Sequence, residues 1–243
     1  MQNVKIQMMK LVLICVMIVH TCYACSSIMY ICATGKNVFD ERGIHVWNTW
    51  GKIIQAPHYF IFASDEIRPK YPMIAASVGT DWASSQGKWI SVILDERFDY
   101  DWYFLLDDDA FVVHQNVVNL ITNRNPNEPI LIGQMKCDYL CGGGGALISR
   151  TLVQELNSYR HRLSPIIPGY YDIILSHLIK DENLGVLEHN DDFHSQPPLA
   201  YKRDGVSINL KTPISFHYVN GKFQLEYYAP PGIYQQLYET YYV

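Results

Sequence analysis

The chain has 243 residues and a mass of 28.0 kDa, which suits one sizeable domain or two small ones. Hydrophobic residues make up 49% and charged residues 18%, so the chain can bury a full core and bulk disorder is excluded. With 19 Lys and Arg against 24 Asp and Glu, the formal net charge is -5, and there is no basic run. Such a chain is a poor candidate for electrostatic binding of nucleic acid.

The N-terminal segment has the order of a targeting sequence. Lys5 and Lys10 precede the apolar run 11–19, and small residues follow within 22–24. Positive charge, a short apolar run and small residues in that order are typical of a secretory signal. Apolar residues soon resume, so an uncleaved anchor and a core element stay open as alternatives. We predict a signal peptide or signal anchor over residues 1–24.

A targeting segment of this kind predicts a location in the secretory pathway, in the lumen of the Golgi or the ER. The protein would be either a type II membrane protein or soluble after cleavage, and it would contact the membrane only through the N-terminal segment. No Asn-x-Ser/Thr site occurs, so N-glycosylation is not expected. That compartment permits disulfides among the cysteines Cys25, Cys32, Cys137 and Cys141.

Apolar runs alternate with segments of helical spacing along the chain. Strands are predicted over 28–33, 59–63, 102–106 and 130–132. Helices are predicted over 40–50, 82–95, 116–122 and 172–180. A glycine loop at 142–145 leads into the apolar segment 146–156, and beyond Pro197-Pro198 short apolar runs predict edge strands. Because strands alternate with helices and no polar linker divides the chain, the sequence predicts one α/β domain.

Three consecutive carboxylates follow the apolar run 102–106 directly: Asp107, Asp108 and Asp109. A strand buried on both faces delivers its last residue to the crevice where α/β sheets bind ligands. Carboxylate oxygens attract Mg²⁺ or Mn²⁺, which bridge the phosphates of a nucleotide. The triplet therefore predicts a ligand site, and an acidic turn that caps the next helix is the alternative.

The surroundings of the triplet resemble the aspartate motif of the beta-1,3-glycosyltransferase family of Fringe, core 1 galactosyltransferase and O-fucose beta-1,3-glucosyltransferase: DWYFLLDDDAFVV at 101–113. Six further segments resemble motifs of that family in the same order: WNTWGK at 47–52, QGKW at 86–89, NEPILIG at 127–133, CGGGGALISR at 141–150, FHS at 193–195 and PISFH at 213–217. The resemblance runs from about residue 28 to residue 217. It implies a GT-A type, Rossmann-like nucleotide-diphospho-sugar transferase domain over residues 25–243, which uses Mn²⁺ and a UDP-sugar.

The resemblance also implies roles for single residues. Asp109 and His194 would hold the metal ion, and Asp107 and Asp108 would contact the ribose or the sugar of the donor. Without the resemblance, His194 would be taken for a surface residue paired with the neighbouring acids.

Three further residues are expected near the donor. Gly143 and Gly144 lie in the loop that the family places beside donor and acceptor, although family members often have Gly-Gly-Ala-Gly here. Glycines in such a loop allow the backbone to approach a ligand closely. Lys88 would contact a donor phosphate, and a solvated helix lysine is the alternative.

Asp172 is the predicted general base. It stands where the family has the second acid of an acidic pair before an apolar helix, while Tyr171 replaces the first acid. A free Asp has a pKa near 3.9, so a base at this position needs partial desolvation or neighbouring carboxylates. A helix cap is the alternative role for Asp172.

The resemblance predicts an inverting beta-1,3-glycosyltransferase that moves a hexose, galactose first, from a UDP-sugar to an O-glycosylated protein. The segment PISFH favours the alternative of glucosyl or N-acetylglucosaminyl transfer to O-linked fucose. Because the first acid is missing at Tyr171, a non-catalytic relative that acts as a binding or chaperone subunit stays open.

Overall fold

The computed structural model describes residues 26–76, 85–136, 138–163, 170–208 and 211–219. The predicted targeting segment and the Tyr-rich stretch 220–243 lie outside these ranges, as do Cys25 and Cys137. Every helix within them is too short or too polar to cross a membrane.

The strands of the described residues are β1 (Ile28–Ala33), β2 (Tyr59–Ser64), β3 (Met73–Ala75), β4 (Trp102–Asp107), β5 (Phe111–Val112), β6 (Ile130–Gly133), β7 (Met135–Lys136), β8 (Tyr139–Leu140), β9 (Ala146–Ser149), β10 (Val186–His189), β11 (Phe193–His194) and β12 (Ser215–Phe216). The α-helices are α1 (Gly43–Asn48), α2 (Ser85–Ile93), α3 (His114–Ile121), α4 (Arg150–Asn157), α5 (Tyr171–Asp181) and α6 (Pro198–Arg203). Short 3₁₀ turns cover Gly51–Ile53 and Gly142–Gly144.

The central sheet has seven strands in the order β10-β6-β9-β4-β1-β2-β3. All neighbouring pairs are parallel except those of β9, which runs antiparallel to both β4 and β6. The strand order reverses at β1, because β2 and β3 extend the sheet on one side of β1, while the next strand, β4, lies on the other side. Such a switch point opens a crevice at the carboxyl ends of the strands.

Alternating side chains of β1 enter two different cores. Met29 and Ile31 pack with α2, α4 and α5, whereas Tyr30 and Cys32 pack on the opposite face. That second face is covered by α1, α3 and a small sheet of order β11-β12-β5. The central strands of the sheet, such as β1 and β4, are therefore buried on both faces, which explains why they read as continuous apolar runs.

The predicted α/β single domain and the four predicted strands are confirmed. The helix predicted over 40–50 is shorter, since residues up to Arg42 form turns before α1 begins. The apolar segment 146–156 is divided between β9 and α4 at Ser149, whose side chain accepts a hydrogen bond from the Leu152 N–H and caps the helix.

Two further expectations changed beyond residue 197 and at the cysteines. Edge strands were predicted after Pro197-Pro198, and one strand, β12, forms there as the central strand of the small sheet, but the helix α6 precedes it. Cys32 is fully buried inside β1, and its thiol forms no disulfide with a described residue. Burial raises the pKa of that thiol well above its ordinary value, so Cys32 acts as a core residue.

Candidate active site

The acidic triplet lies at the carboxyl edge of the central sheet, beside the switch point. Asp107 is the last residue of β4 and pairs in register with Ala33, the last residue of β1. The indole N–H of Trp89 in α2 donates to the Leu106 carbonyl at 2.8 Å and fixes the end of β4. The Thr34 N–H donates to the Ala63 carbonyl at 3.0 Å, which holds the loop after β1 in place. The crevice predicted from the sequence is therefore formed by this edge.

Asp108 is held between one hydroxyl and one guanidinium. The Thr34 hydroxyl donates to Asp108 Oδ2 at 2.6 Å, and Arg42 Nη1 lies 3.7 Å from Asp108 Oδ1. Burial is the main reason that the pKa of Asp108 rises to about 6, and Asp109 adds to it, while Thr34 and Arg42 oppose it. The carboxyl group is thus close to its titration range at neutral pH.

Asp107, Asp109 and His217 form a cluster in which one ligand atom from each lies within 4.8 Å of the others. His217 Nε2 is 3.3 Å from Asp109 Oδ1, and the Val219 N–H donates to the Asp109 carbonyl at 2.8 Å, which ties the C-terminal segment to the triplet. Burial, followed by Asp109 and Asp108, raises the pKa of Asp107 well above its ordinary value.

This cluster fits the divalent cation that the motifs imply. Asp107 Oδ1 and Asp109 Oδ1 are buried, and within the described part of the chain neither accepts a hydrogen bond. Buried carboxylate oxygens normally have partners, so two such atoms on residues that cluster with an imidazole indicate a cation site. Carboxylate oxygens with an imidazole suit Mn²⁺, and carboxylates suit Mg²⁺.

His217 is the site residue that the sequence reasoning did not assign. It ends the segment PISFH, which was noticed for its resemblance and not for its side chain. His217 follows β12, and β12 pairs with β5 just after the triplet, with Phe216 opposite Phe111. The pairing of two-residue strands some hundred residues apart brings the histidine to Asp109, and spacing along the chain gives no sign of it.

His194, the predicted second ligand, is not a member of the cluster formed by Asp107, Asp109 and His217. It is buried in β11, and its ring stacks on Phe216 at a centroid distance of 4.7 Å. Burial lowers the pKa of His194 to about 4, and Nε2 has no hydrogen-bond partner among the described residues. The alternative of a solvated loop residue is wrong. Metal ligation by His194 stays the prediction from the motifs, and His217 is the competing imidazole ligand.

The glycine turn joins the parts of the site. The Gly142 N–H donates to Asp172 Oδ2 at 3.0 Å. A Cβ atom at Gly143 would lie inside the contact distance of the His217 ring, so only glycine leaves that ring in place. The Gly144 carbonyl accepts a hydrogen bond from the Ser215 hydroxyl of β12. Asp172, His217 and the small sheet therefore meet at one turn.

Asp172 lies in the first turn of α5, while Tyr170 is the N-cap residue, so Asp172 is not the cap that was the alternative. Its Oδ1 accepts the Ile173 N–H at 2.9 Å and its Oδ2 accepts the Gly142 N–H. The charge of Asp172 contributes to the raised pKa of Asp107, which places the two carboxylates in one electrostatic site. Tyr171 is buried in the core under α5.

Lys88 is buried beneath the loop after β1. Its Nζ atom donates to the Thr34 carbonyl at 2.7 Å and lies 3.3 Å from Asp65 Oδ1. With 3% of its surface exposed, Lys88 is not the solvated helix lysine that was the alternative. Its contact with a donor phosphate stays a prediction.

A family model described as Fringe-like matches residues 25–227. The chain belongs to the Fringe-like family. Membership in this glycosyltransferase family confirms the resemblance read from the motifs. Together with the mixed sheet covered by helices, it confirms the predicted GT-A type, Rossmann-like α/β fold.

Two named relatives cover most of the chain. Glycoprotein-N-acetylgalactosamine 3-beta-galactosyltransferase 1 of Xenopus laevis is 24% identical over 187 residues, which are 68% of this chain and 49% of the relative. Beta-1,3-glucosyltransferase of Homo sapiens is 26% identical over 200 residues, which are 76% of this chain and 38% of the relative. The chain thus spans half or less of the length of these curated relatives.

Solved glycosyltransferases show a weaker likeness. The apo form of the glycosyltransferase GlyE of Streptococcus pneumoniae TIGR4 has a TM-score of 0.47 at 13% identity, and covers 90% of this chain and 60% of its own. The galactosyltransferase LgtC in complex with donor and acceptor sugar analogs has a TM-score of 0.47 at 11% identity, and covers 89% of this chain and 96% of its own. We draw no functional conclusion from similarity at this level.

Proposed function

We propose that this protein is an inverting beta-1,3-glycosyltransferase that moves a hexose from a UDP-sugar to an O-linked glycan on a protein. The observation that carries the proposal is that Asp107, Asp109 and His217 lie together at the carboxyl edge of the sheet. The turn Gly142–Gly144 contacts both His217 and Asp172, and so connects this cluster to the candidate base. Glycosyl transfer needs a base for the acceptor hydroxyl and a fixed geometry between donor and acceptor. A cation site and a candidate base that contact the same turn meet this need.

The residues of this chain would divide the reaction as follows. Asp107, Asp109 and His217 would hold a divalent cation, which neutralises the charge on a leaving diphosphate when it is bound. Asp172 takes the proton of the acceptor 3-hydroxyl. The acceptor oxygen then attacks the anomeric carbon, and the bond from that carbon to the diphosphate oxygen breaks, releasing UDP. A single displacement inverts the anomeric carbon, so an alpha-linked donor yields a beta-linked product.

Asp172 is oriented for this role by two backbone donors. The Gly142 and Ile173 N–H groups each donate to one of its oxygens, at 3.0 and 2.9 Å, and fix the plane of the carboxylate. A carboxylate oxygen has two lone pairs, so one backbone donor does not exhaust its capacity to accept a proton. The charge of Asp172 adds to the raised pKa of Asp107, which burial causes in the first place, so the candidate base and the cluster belong to one electrostatic site.

Galactose is the first choice for the sugar because the relative from Xenopus laevis is named for galactosyl transfer to N-acetylgalactosamine. The human relative is named a glucosyltransferase and has a similar identity, so glucosyl or N-acetylglucosaminyl transfer to O-fucose is the second candidate. The proposal includes Mn²⁺ as the cation and a secretory location, with residues 1–24 as signal peptide or anchor. Both of these rest on the motifs and the sequence.

Donor turnover tests the proposal. Purified protein is incubated with Mn²⁺, each UDP-sugar in turn and acceptors that carry Ser/Thr-linked N-acetylgalactosamine or fucose, and UDP release is measured. We expect release with UDP-galactose to exceed release with the other donors. If no donor is turned over with any acceptor, the alternative of a non-catalytic binding or chaperone subunit, to which Tyr171 points, replaces the enzyme.

The base is tested by Asp172→Asn. The amide accepts no proton, so we expect transfer to fall by about 100-fold or more while binding of UDP in the presence of Mn²⁺ is retained. Asp181→Asn makes the same change at the exposed C-terminal end of α5 and serves as the control. Normal transfer by Asp172→Asn would show that the base lies elsewhere.

A further inference from the structure

One basic side chain faces the acidic triplet from outside the central sheet. Arg42 directly precedes α1, and its Nη1 atom lies 3.5 Å from Asp109 Oδ2 and 3.7 Å from Asp108 Oδ1. Across the described ranges, the ion pairs to Asp108 and Asp109 come from Arg42 and His217. The nearby Lys88 is turned away, towards Asp65 and the Thr34 carbonyl. Among the described residues, Arg42 is therefore the permanent positive charge that forms ion pairs with the triplet, while Lys88 acts on Asp108 only from a greater distance.

The two oxygens of Asp109 face different partners. Oδ1 faces His217 within the cluster, and Oδ2 faces Arg42. A cation bound by the cluster would share this carboxylate with the guanidinium, so two positive charges would lie within a few bond lengths of each other. At a carboxylate that is 6% exposed, solvent and salt screen such a repulsion less than at the surface. Arg42 thus opposes cation binding while it stabilises the free carboxylates.

The geometry of Arg42 also suits a second partner. Both of its contacts are longer than a good hydrogen bond, and 38% of its side chain is exposed, so the guanidinium can turn without breaking a tight pair. A planar guanidinium matches phosphate oxygens with two parallel donors. A diphosphate that arrives with the cation would restore negative charge beside Arg42 and convert the repulsion into attraction.

We propose that Arg42 is a positioning residue that couples the binding of the divalent cation to the binding of the nucleotide diphosphate. It opposes the cation alone and favours the two ligands together. The inference rests on the proposed function, from which it takes the cation and the UDP donor. Because coupling between two sites is reciprocal, UDP strengthens Mn²⁺ binding by the same factor by which Mn²⁺ strengthens UDP binding.

The test uses the full chain with Mn²⁺ and UDP as probes and needs no sugar transfer. Free Mn²⁺ is measured by its EPR signal during titration, with and without UDP. We expect Arg42→Gln to bind Mn²⁺ alone about threefold more tightly than the wild type. The same variant should bind UDP in the presence of Mn²⁺ about threefold more weakly. A change of about threefold in affinity corresponds to the loss of one partly exposed ion pair. Arg42→Lys keeps the charge and should lie between the two proteins.

Arg97→Gln is the matched control, because Arg97 pairs with Asp95 at an exposed site after α2 and should leave both affinities as in the wild type. Loss of structure at Arg42 would weaken both affinities, so opposite changes identify coupling. The role of Arg42 would be overturned if, without UDP, Arg42→Gln bound Mn²⁺ as tightly as the wild type or more weakly.

Asp109→Asn separates this failure from failure of the proposed function. If Mn²⁺ binding is lost in Asp109→Asn but unaffected in Arg42→Gln, the cation site stands and the coupling role is wrong. If Asp109→Asn still binds Mn²⁺ as the wild type does, the cation site of the proposed function is wrong, and the coupling role of Arg42 is wrong as well.

Discussion

Asp108 is a single residue whose burial works against the stability of the fold. It is 5% exposed, and burial raises its pKa from 3.8 to about 6. Above pH 6 the folded protein therefore holds a charge that the unfolded chain accommodates more easily. As the pH falls from about 6 to about 4, the folded state takes up the proton first, and the destabilising contribution disappears. A buried carboxylate that costs stability at neutral pH is common where a ligand later binds.

Replacement of this carboxylate should stabilise the protein in a pH-dependent way. We expect Asp108→Asn to raise the free energy of unfolding at pH 7–8 by about 1 to 3 kcal/mol, because the amide keeps an acceptor for the Thr34 hydroxyl without the charge. The gain should shrink between pH 6 and pH 4. Urea unfolding of both proteins across this range measures it. A gain that is constant with pH would show that Asp108 does not titrate as described.

The two histidines near the triplet should behave differently towards a cation. We expect His217→Ala to lose at least about tenfold in Mn²⁺ affinity, since even indirect partners of a ligand contribute that much. His194→Phe keeps the ring that stacks on Phe216 and should bind Mn²⁺ as the wild type does. Mn²⁺ titration followed by EPR compares the two variants. The reverse result would restore His194 as the ligand and remove His217 from the cluster.

At the scale of elements, the glycine turn Gly142–Gly144 decides the geometry of the site. Its first residue binds Asp172, its second leaves room for His217, and its third binds β12 through Ser215. The four glycines predicted a loop close to a ligand, and the loop is confirmed. The sequence could not show that each glycine meets a different part of the molecule, because those contacts depend on elements up to about seventy residues away.

A single added methyl group tests the turn. In Gly143→Ala the new Cβ would displace the His217 ring, so we expect Mn²⁺ affinity to fall by about 10- to 100-fold with little loss of secondary structure. Gly205→Ala is the control, because Gly205 has a φ of 68° and no atom within 4 Å of an added Cβ. That variant should lose about 1 kcal/mol of stability and keep its Mn²⁺ affinity. Unchanged Mn²⁺ binding by Gly143→Ala would contradict the packing described.

The limits of the sequence reasoning also appear at this scale. The strand β4 was predictable because five apolar residues precede three acids. The strand β9 was not separated from α4, because three apolar residues and one serine that lead directly into a helix have no distinct periodicity. The helix α6 was missed because the short apolar runs beyond Pro197-Pro198 were interpreted as strands, whereas Pro198 occupies the first turn of the helix, a position that proline tolerates.

At the scale of the whole molecule, the alternation of strands and helices was enough to predict the layered α/β domain. The order of the strands was not predictable, because side-chain patterns show which faces are buried but not which strands are neighbours. The small sheet β11-β12-β5 is the clearest case, since two-residue strands leave almost no pattern in the sequence. Yet this sheet carries His217 to the triplet. The acidic residues of the site were predicted from the local sequence pattern. His217 could not be predicted, because the pairing of distant strands brings it to the site.

The reversed direction of β9 has a consequence for how this scaffold can diversify. A strand that runs against its neighbours begins at the edge where they end, so the hairpin β7–β8 and the turn that precede β9 open onto the same rim as Asp107. Residues inserted into that hairpin would reshape the rim while the pairing of β9 with β4 and β6 stayed in register. The shape of this rim can therefore diverge by lengthening one hairpin, while the acidic residues at the end of β4 keep their places.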